Sequence, residues 1–329
     1  RFDGSIGAST VLFPYGGKYQ NTPEAGMSAK IPVVSPRETS TVSLMAYGFD
    51  PRVGKWSAWH GAKTAVLSSL AKITCIGGKA RNSRLSFQEF FGRAVSEKTW
   101  GYPAAALLGS VDAQIESGCA SIGGKDSMSG SFEDLDVPPT LISFAITAGE
   151  AKDIITPELK GSNHKLVEII IPKDKYLVFD FDVLKSQYDL VMDLNSKGKI
   201  YSAYTVKDGG VIEAVYKMAF GNAVGVTLND ELSLTSLVEK NYGNIIIEVD
   251  NDLEINSQYV RVVGSTNDTN YVSYKEERIS LDDAYNVYEK VLDDVYPTKM
   301  EAPTNATVNK DCTLRPRLHA SRSYEEVKV

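Results

Sequence analysis

Apolar positions recur with helical spacing in two stretches of the first half of the chain. Over residues 62–73 the apolar or small side chains recur every three or four positions, and Gly77 and Gly78 supply a stop signal. A second helix is expected over residues 104–118. Before them, about 40 residues are rich in glycine and proline, which predicts loops and short strands.

Other stretches have the composition of strands. Residues 140–147 follow a pair of prolines, and residues 165–171 are rich in β-branched side chains. Residues 244–249 and 259–263 are also expected to be strands. Helices that alternate with strands in this way indicate an α/β (α+β) fold.

A polar interval at residues 149–163 divides the pattern into two parts. We therefore expect one domain over residues 1–155 and a second over 156–296, which agrees with the usual size of domains. Residues 297–329 are polar and lack periodicity, which predicts a linker.

Two helix starts are expected in the second half. Asp208 precedes Gly209 and Gly210 and could cap a helix that ends near Gly221. A second helix is expected after residue 280, where Ser280 is followed three residues later by an acid, as in a capping box.

The amino-acid composition excludes several classes of protein. The 329 residues are 43% hydrophobic and 23% charged, with a formal net charge of −7, which is typical of a globular protein without affinity for nucleic acid. No apolar run is long enough to cross a membrane, so we expect a cytoplasmic protein. Cys75, Cys119 and Cys312 are too few and too far apart for a disulfide framework.

The segment 123–130 is the most suggestive chemically. A strand running into a glycine turn is expected here. Glycines allow backbone N–H groups to approach an anion, and Lys125 and Ser127 add donors, so the turn is a candidate phosphate site. A Walker A loop is excluded, because Gly124 stands where lysine should be and Asp126 follows Lys125. The Gly-Gly-Lys triplet also occurs at residues 16–18 and 77–79, so the triplet alone does not mark a site.

Other candidate sites have simpler interpretations. His60, His164 and His319 lie far apart, and none is next to a cysteine or serine nucleophile. The acidic runs 133–136 and 282–283 are typical of solvated loops and first helical turns, so no metal site is predicted.

Several motifs resemble the second synthetase repeat of the phosphoribosylformylglycinamidine synthase family, in its long single-chain form. They are Gly-Gly-Lys-Asp-Ser-Met-Ser at 123–129, Val-Pro-Pro-Thr-Leu at 137–141, Tyr-Gly-Gly-Lys-Tyr at 15–19, Gly-Phe-Asp-Pro at 48–51, Leu-Ser-Phe-Gln-Glu at 85–89 and Lys-Asp-Gly-Gly at 207–210. Because the motifs are spread over both halves, the resemblance covers both expected domains.

The resemblance implies an AIR-synthase-like N-terminal domain, which pairs through its sheet with a sister repeat, and an AIR-synthase-like C-terminal domain. It implies a ligase of purine biosynthesis that converts formylglycinamide ribonucleotide, glutamine and ATP to formylglycinamidine ribonucleotide, ADP, phosphate and glutamate. The full-length enzyme uses ATP and Mg²⁺. Its first repeat and its C-terminal glutaminase domain would be the partners of this chain.

The chain starts at Arg1 without an initiator Met, and we expect it to be a fragment. The resemblance places the catalytic histidine and principal metal ligands in the first repeat, so we expect no catalytic residue here and no activity of the fragment alone. We also expect the fragment to form a homodimer, because its pairing face would otherwise be exposed.

The resemblance also assigns binding residues. Substrate or nucleotide would contact the residues that match the family's catalytic cleft, namely Gln88, Gly123, Gly124, Lys125, Asp126 and Ser127. Lys125 stands where some relatives have an asparagine that ligates magnesium, so metal binding is not expected there.

Long-form relatives have an auxiliary nucleotide pocket that is held by magnesium. The matching positions here are Ser68, Lys72, Thr205, Lys207, Asp208 and Gly209. Carboxylates have been lost and two lysines gained, so the pocket is degenerate. We expect either an anion held without magnesium or two lysines that point to solvent.

Two other functions remain open. One is a different ATP-dependent enzyme of the same superfamily, such as a thiamine-phosphate kinase, although the acid-rich N-terminal motif of those kinases is not found. The other is a non-catalytic scaffold that pairs with an active repeat.

Overall fold

The computed structural model describes residue 7 and residues 9–34 and 37–297. Within these residues the first half contains strands and helices in the order β1 (Tyr15–Gly16), β2 (Thr22–Pro23), β3 (Met27–Lys30), β4 (Thr41–Gly48), α1 (Pro51–Trp56), α2 (Ala58–Cys75), β5 (Arg84–Phe90), α3 (Glu97–Ser117), β6 (Ser121–Ser127), β7 (Ser131–Phe132), β8 (Leu135–Asp136) and β9 (Thr140–Glu150). The second half contains β10 (His164–Ile169), α4 (Phe181–Ser196), β11 (Ile200–Thr205), α5 (Gly210–Phe220), β12 (Gly225–Leu228), α6 (Leu234–Val238), β13 (Ile245–Asp250), β14 (Val260–Asn267), β15 (Tyr271–Tyr274), β16 (Glu277–Ser280) and α7 (Leu281–Glu289).

The first sheet has five strands in the order β3-β4-β9-β5-β6. Of these pairs, β5 and β6 are parallel and the others are antiparallel. Because β6 is last in the order, it is an edge strand. Helix α2 packs on β4 and β9, and α3 packs on α2. On the opposite face Met45, Tyr47 and Ile146 are exposed. This sheet therefore has one covered face and one open face.

The second sheet has seven strands in the order β11-β13-β10-β14-β12-β15-β16, and only β12 and β15 pair in parallel. Helix α5 packs against β11, β12 and β13, while α2 reaches β11 from the first half. Residues of α2 are buried on nearly every side, from Ala58 to Cys75. A helix buried on all sides packs in the interior of a domain, and α2 is thus central to the fold.

The predicted α/β (α+β) class is confirmed, and the predominantly antiparallel sheets are those of an α+β fold. The helix expected from residue 62 begins earlier, at Ala58, where Ser57 caps it. Ser280 caps α7 as expected, since its hydroxyl oxygen accepts the N–H of Asp283 at 3.0 Å. None of the described helices is long and apolar enough to cross a membrane.

The chain up to Tyr288 forms one compact unit, and a second unit begins at Glu289. The division at residues 155 and 156 falls between the first sheet and the second, and remains a prediction. The expected linker at 297–329 lies, apart from residue 297, outside the described residues.

Candidate functional site

The glycine segment 123–127 is a strand, and the expected turn is wrong. Strand β6 pairs with β5 so that Gln88 is opposite Lys125 and Glu89 is opposite Asp126. Tertiary pairing with β5 has overridden the turn tendency of the two glycines. Because side chains alternate along a strand, the predicted binding residues are divided between two faces of the sheet.

One group lies on the open face. Gln88, Lys125 and Ser127 alternate with the buried positions, and Lys125 Nζ donates to Ser127 Oγ at 2.9 Å. The Lys125 ammonium also lies 5.8 Å from the centre of the Phe90 ring. The open face therefore presents an ammonium group and a hydroxyl beside exposed apolar side chains.

The other group faces helix α3. Asp126 and Glu89 line a cleft of about 560 Å³ between α3 and β6, with the exposed Trp100 at its wall. Glu89 is only 8% exposed, and burial, followed by the neighbouring charge of Asp126, raises its pKa to about 7. Glu89 was not among the predicted residues. Its position next to Gln88 in a strand was the available signal, because consecutive side chains of a strand lie on opposite faces of the sheet.

The two glycines of the motif differ in their surroundings. A Cβ atom on Gly124 would lie 2.6 Å from the carbonyl oxygen of Phe87, so close packing of β5 and β6 requires a glycine there. A Cβ on Gly123 would meet nothing within 4 Å. Packing thus explains Gly124, whereas Gly123 leaves bare backbone that a ligand or partner can approach.

Lys72 is buried and lies near Lys207, which is half-buried, so the alternative in which both lysines point to solvent is wrong for Lys72. Lys72 is 8% exposed, donates to the carbonyl oxygen of Tyr47 at 2.7 Å and lies 4.2 Å from the centre of that ring. Burial, followed by the charge of Lys207, lowers the pKa of Lys72 to about 7. Lys207 donates to the hydroxyl of Tyr204 at 3.2 Å, and burial lowers its pKa too.

The small polar residues of the expected auxiliary pocket are also buried. Ser68 is on α2, and Thr205 ends β11, the strand that α2 contacts. Thr205 is 2% exposed, and its hydroxyl oxygen has no hydrogen-bond partner among the described residues. Burying a hydroxyl without a hydrogen-bond partner lowers the stability of the fold. The Thr205 hydroxyl is therefore available to bond a group that enters this region.

Asp208 does not cap helix α5, in contrast to the prediction. Its carboxylate pairs at 2.5 Å with both Arg52 and Lys240, which the sequence separates widely from it. Gly209 is the cap residue, and its N–H donates to the Glu213 carboxylate at 2.7 Å. The N-terminus of α5 therefore already faces an internal carboxylate.

Magnesium does not fit these residues. No group of three or more metal-ligating side chains occurs in the described ranges. At the expected auxiliary pocket two ammonium groups, Lys72 and Lys207, occupy the region where a divalent ion would need carboxylates.

The curated proteins that resemble the chain include the two partial relatives that follow, and no protein-family model matches the chain. A probable phosphoribosylformylglycinamidine synthase, chloroplastic/mitochondrial, of Arabidopsis thaliana is 25% identical over 219 residues, which cover 54% of this chain and 15% of that protein. A probable membrane antigen 75 of Saimiriine herpesvirus 2 is 27% identical over 130 residues, which cover 34% of this chain and 10% of that protein. The matches thus span a small part of either relative.

Solved structures share the fold. PurLQS from Thermotoga maritima has a TM-score of 0.60 at 13% identity, covering 74% of this chain and 44% of that one. T. maritima PurL complexed with ATP has a TM-score of 0.59 at 12% identity, with coverage of 82% and 47%. Thiamine monophosphate kinase from Aquifex aeolicus has a TM-score of 0.52 at 10% identity, with coverage of 74% and 91%. The chain has the AIR-synthase-like fold, and both kinds of comparison are consistent with the resemblance to phosphoribosylformylglycinamidine synthase that its motifs carry.

Proposed function

We propose that the chain is one repeat of an ATP-dependent carbon-nitrogen ligase of purine biosynthesis. The whole enzyme would convert formylglycinamide ribonucleotide, glutamine, ATP and water to formylglycinamidine ribonucleotide, ADP, phosphate and glutamate. The observation that carries this proposal is the position of Gln88, Lys125 and Ser127 on an open sheet face, beside the bare backbone of Gly123. Such a face is half of a site that a second surface must complete.

On this proposal each side chain has a binding role. Lys125 supplies positive charge to a phosphate group, and the open space beside Gly123, which a Cβ would fill, admits the anion. Gln88 and Ser127 supply hydrogen bonds to the substrate. Catalytic residues and the magnesium ligands come from another repeat, so no step of the reaction is assigned to this chain alone.

The partner that we propose for the open face is the sister repeat of the same enzyme. Met45, Tyr47 and Ile146 are exposed there, and an apolar sheet face of this kind is typical of an interface. In isolation, a second copy of the chain takes the sister repeat's place and forms a two-fold dimer. The glutaminase domain remains a proposed partner, and the cytoplasm the proposed location.

Association through the open face is testable with two matched variants. Ile146→Lys should abolish binding to a separately produced first repeat, because it buries an ammonium group in the apolar interface. Ile279→Lys, on an exposed position of β16, should bind as the unaltered chain does. Sedimentation velocity would measure both. Equal binding by both variants would exclude the open face as the pairing surface.

The scaffold function is the second candidate, and the lysines favour it. In place of metal-binding carboxylates the chain has a buried amino group at Lys72 and a half-buried one at Lys207, which suits a repeat that has lost one nucleotide site. A scaffold would pair with the first repeat but would leave its turnover unchanged when Lys125→Ala is introduced. The ligase proposal expects this variant to lower turnover while pairing is kept.

A further inference from the structure

The surroundings of Lys72 contain more positive than negative charge. After burial, the charges of Lys207 and Lys217 both lower the pKa of Lys72. Glu213 pairs with Lys217, whereas Lys72 and Lys207 form no ion pair with a carboxylate within the described ranges. Three amino groups thus share one carboxylate. Lys72 is the buried member of this cluster, whereas Lys207 and Lys217 are half-buried, so a positive charge on Lys72 is the costly one.

Lys63 provides an internal comparison for Lys72. Both lysines belong to α2, and Lys63 is even less exposed, at 2%. The ammonium of Lys63, however, pairs with Glu116 at 2.5 Å. Among the described residues, the ammonium of Lys72 contacts the carbonyl oxygen and the ring of Tyr47 and no carboxylate. A buried lysine without a carboxylate partner is the one that loses its proton most readily and becomes a nucleophilic amine.

We propose that Lys72 is a carbamylation site, at which the side-chain amine captures carbon dioxide. The ammonium group first loses one proton to water. The Nζ lone pair then attacks the carbon of CO₂, one C=O electron pair moves to oxygen, and the nitrogen releases a second proton to water. The product is a carbamate with one negative charge, in place of an ammonium with one positive charge. No oxidant or reductant takes part.

The carbamate corrects the charge imbalance. With a negative group on Lys72, the ammonium groups of Lys207 and Lys217 are matched by the carbamate and by Glu213. Thr205, on the strand that α2 contacts, adds a buried hydroxyl without a partner. A free phosphate would also supply negative charge, but it must enter as a whole ion, whereas the carbamate adds three atoms to a side chain already in place.

The proposal has a defined pH dependence. Only the unprotonated amine reacts. Burial and then the charge of Lys207 lower the pKa of Lys72 to about 7, with a smaller contribution from Lys217, while Cys75 has an opposite effect that is smaller than that of Lys207. Burial raises the pKa of the Cys75 thiol, which therefore stays neutral. Carbamate should accordingly increase as the pH rises through about 7 and disappear in mild acid.

The test uses the complete chain in ¹³C-labelled bicarbonate at pH 8, observed by ¹³C NMR. A protein-bound carbamate resonance is expected that Lys72→Gln removes and Lys63→Met retains. If Lys72→Gln does not fold, alkylation of the carbamate with a trialkyloxonium salt, followed by peptide mass mapping of the unaltered chain, locates the modified lysine directly.

A resonance that survives in Lys72→Gln, or alkylated carbamate on other amines only, would overturn the assignment. Thermal unfolding with inorganic phosphate and with bicarbonate, at equal ionic strength, separates the two sources of negative charge. Bicarbonate alone should raise the unfolding temperature, and only above neutral pH. Stabilisation by phosphate without a carbamate signal would also overturn the proposal, and would leave the ligase function untouched.

Discussion

Replacing Gly124 by alanine would place a Cβ atom 2.6 Å from the carbonyl oxygen of Phe87. That oxygen belongs to the backbone of β5 and cannot rotate away as a side chain could. Relief requires β6 to move from β5, its only strand partner in the first sheet. Gly123→Ala is a matched control, since its Cβ would meet nothing within 4 Å.

The two substitutions should have effects of opposite sign. Overpacking against a fixed neighbour costs about 1–3 kcal/mol, so Gly124→Ala should lower the free energy of unfolding by that amount. Gly123→Ala restricts the unfolded chain and introduces no clash, so it should raise the free energy of unfolding by about 0.4–1 kcal/mol. Both variants keep all charges, so electrostatics cannot produce the difference.

Urea unfolding followed by circular dichroism measures this difference as a shift of the midpoint. A lower midpoint is expected for Gly124→Ala and an equal or higher one for Gly123→Ala. If Gly123→Ala destabilises as strongly as Gly124→Ala, the strand geometry of 121–127 is wrong and a strained turn is the better description.

Two further predictions concern charge. Burial and then the charge of Glu158 raise the pKa of Glu24 to about 9. Between pH 4.5 and 9 the folded chain therefore holds a proton on Glu24 that the unfolded chain has released. The free energy of unfolding should fall as the pH rises through this range. Glu24→Gln should therefore raise the urea midpoint at pH 8 but not at pH 4, and an equal shift at both would refute the assignment. Asp208→Ala should cost under about 1 kcal/mol because its ion pairs are largely exposed, whereas Glu213→Ala should cost about 1–2 kcal/mol because it removes the acceptor at the helix start. If thermal unfolding shows a larger loss of stability for Asp208→Ala than for Glu213→Ala, Asp208 is the residue that caps the helix.

The sequence predicted the elements whose signals are local. Helix α2 has apolar and small residues at helical spacing over residues 62–73, and Ser280 with Asp283 marked the start of α7. Strand β4 was missed although it alternates buried Val42 and Leu44 with more exposed neighbours. Its eight residues follow a turn-rich stretch, and strand pairing rather than local preference decides such a segment.

The site could be predicted only in part, because its geometry depends on contacts distant in sequence. Pairing with β5 turned the glycine segment into a strand and divided its side chains between two faces. Asp208 forms ion pairs with Arg52 and Lys240 instead of capping helix α5. The burial of Lys72 follows from the way β11 packs against α2, a contact that no local motif encodes.

On the proposed function, this chain is one repeat of a ligase whose site needs another repeat. The direct measurement is ADP release from ATP, coupled to formylglycinamide ribonucleotide and ammonium, by the chain alone, by a first synthetase repeat alone and by their mixture. We expect substrate-dependent ADP release in the mixture only. Release by the chain alone, or none in a mixture whose pairing sedimentation has verified, would contradict the proposed function.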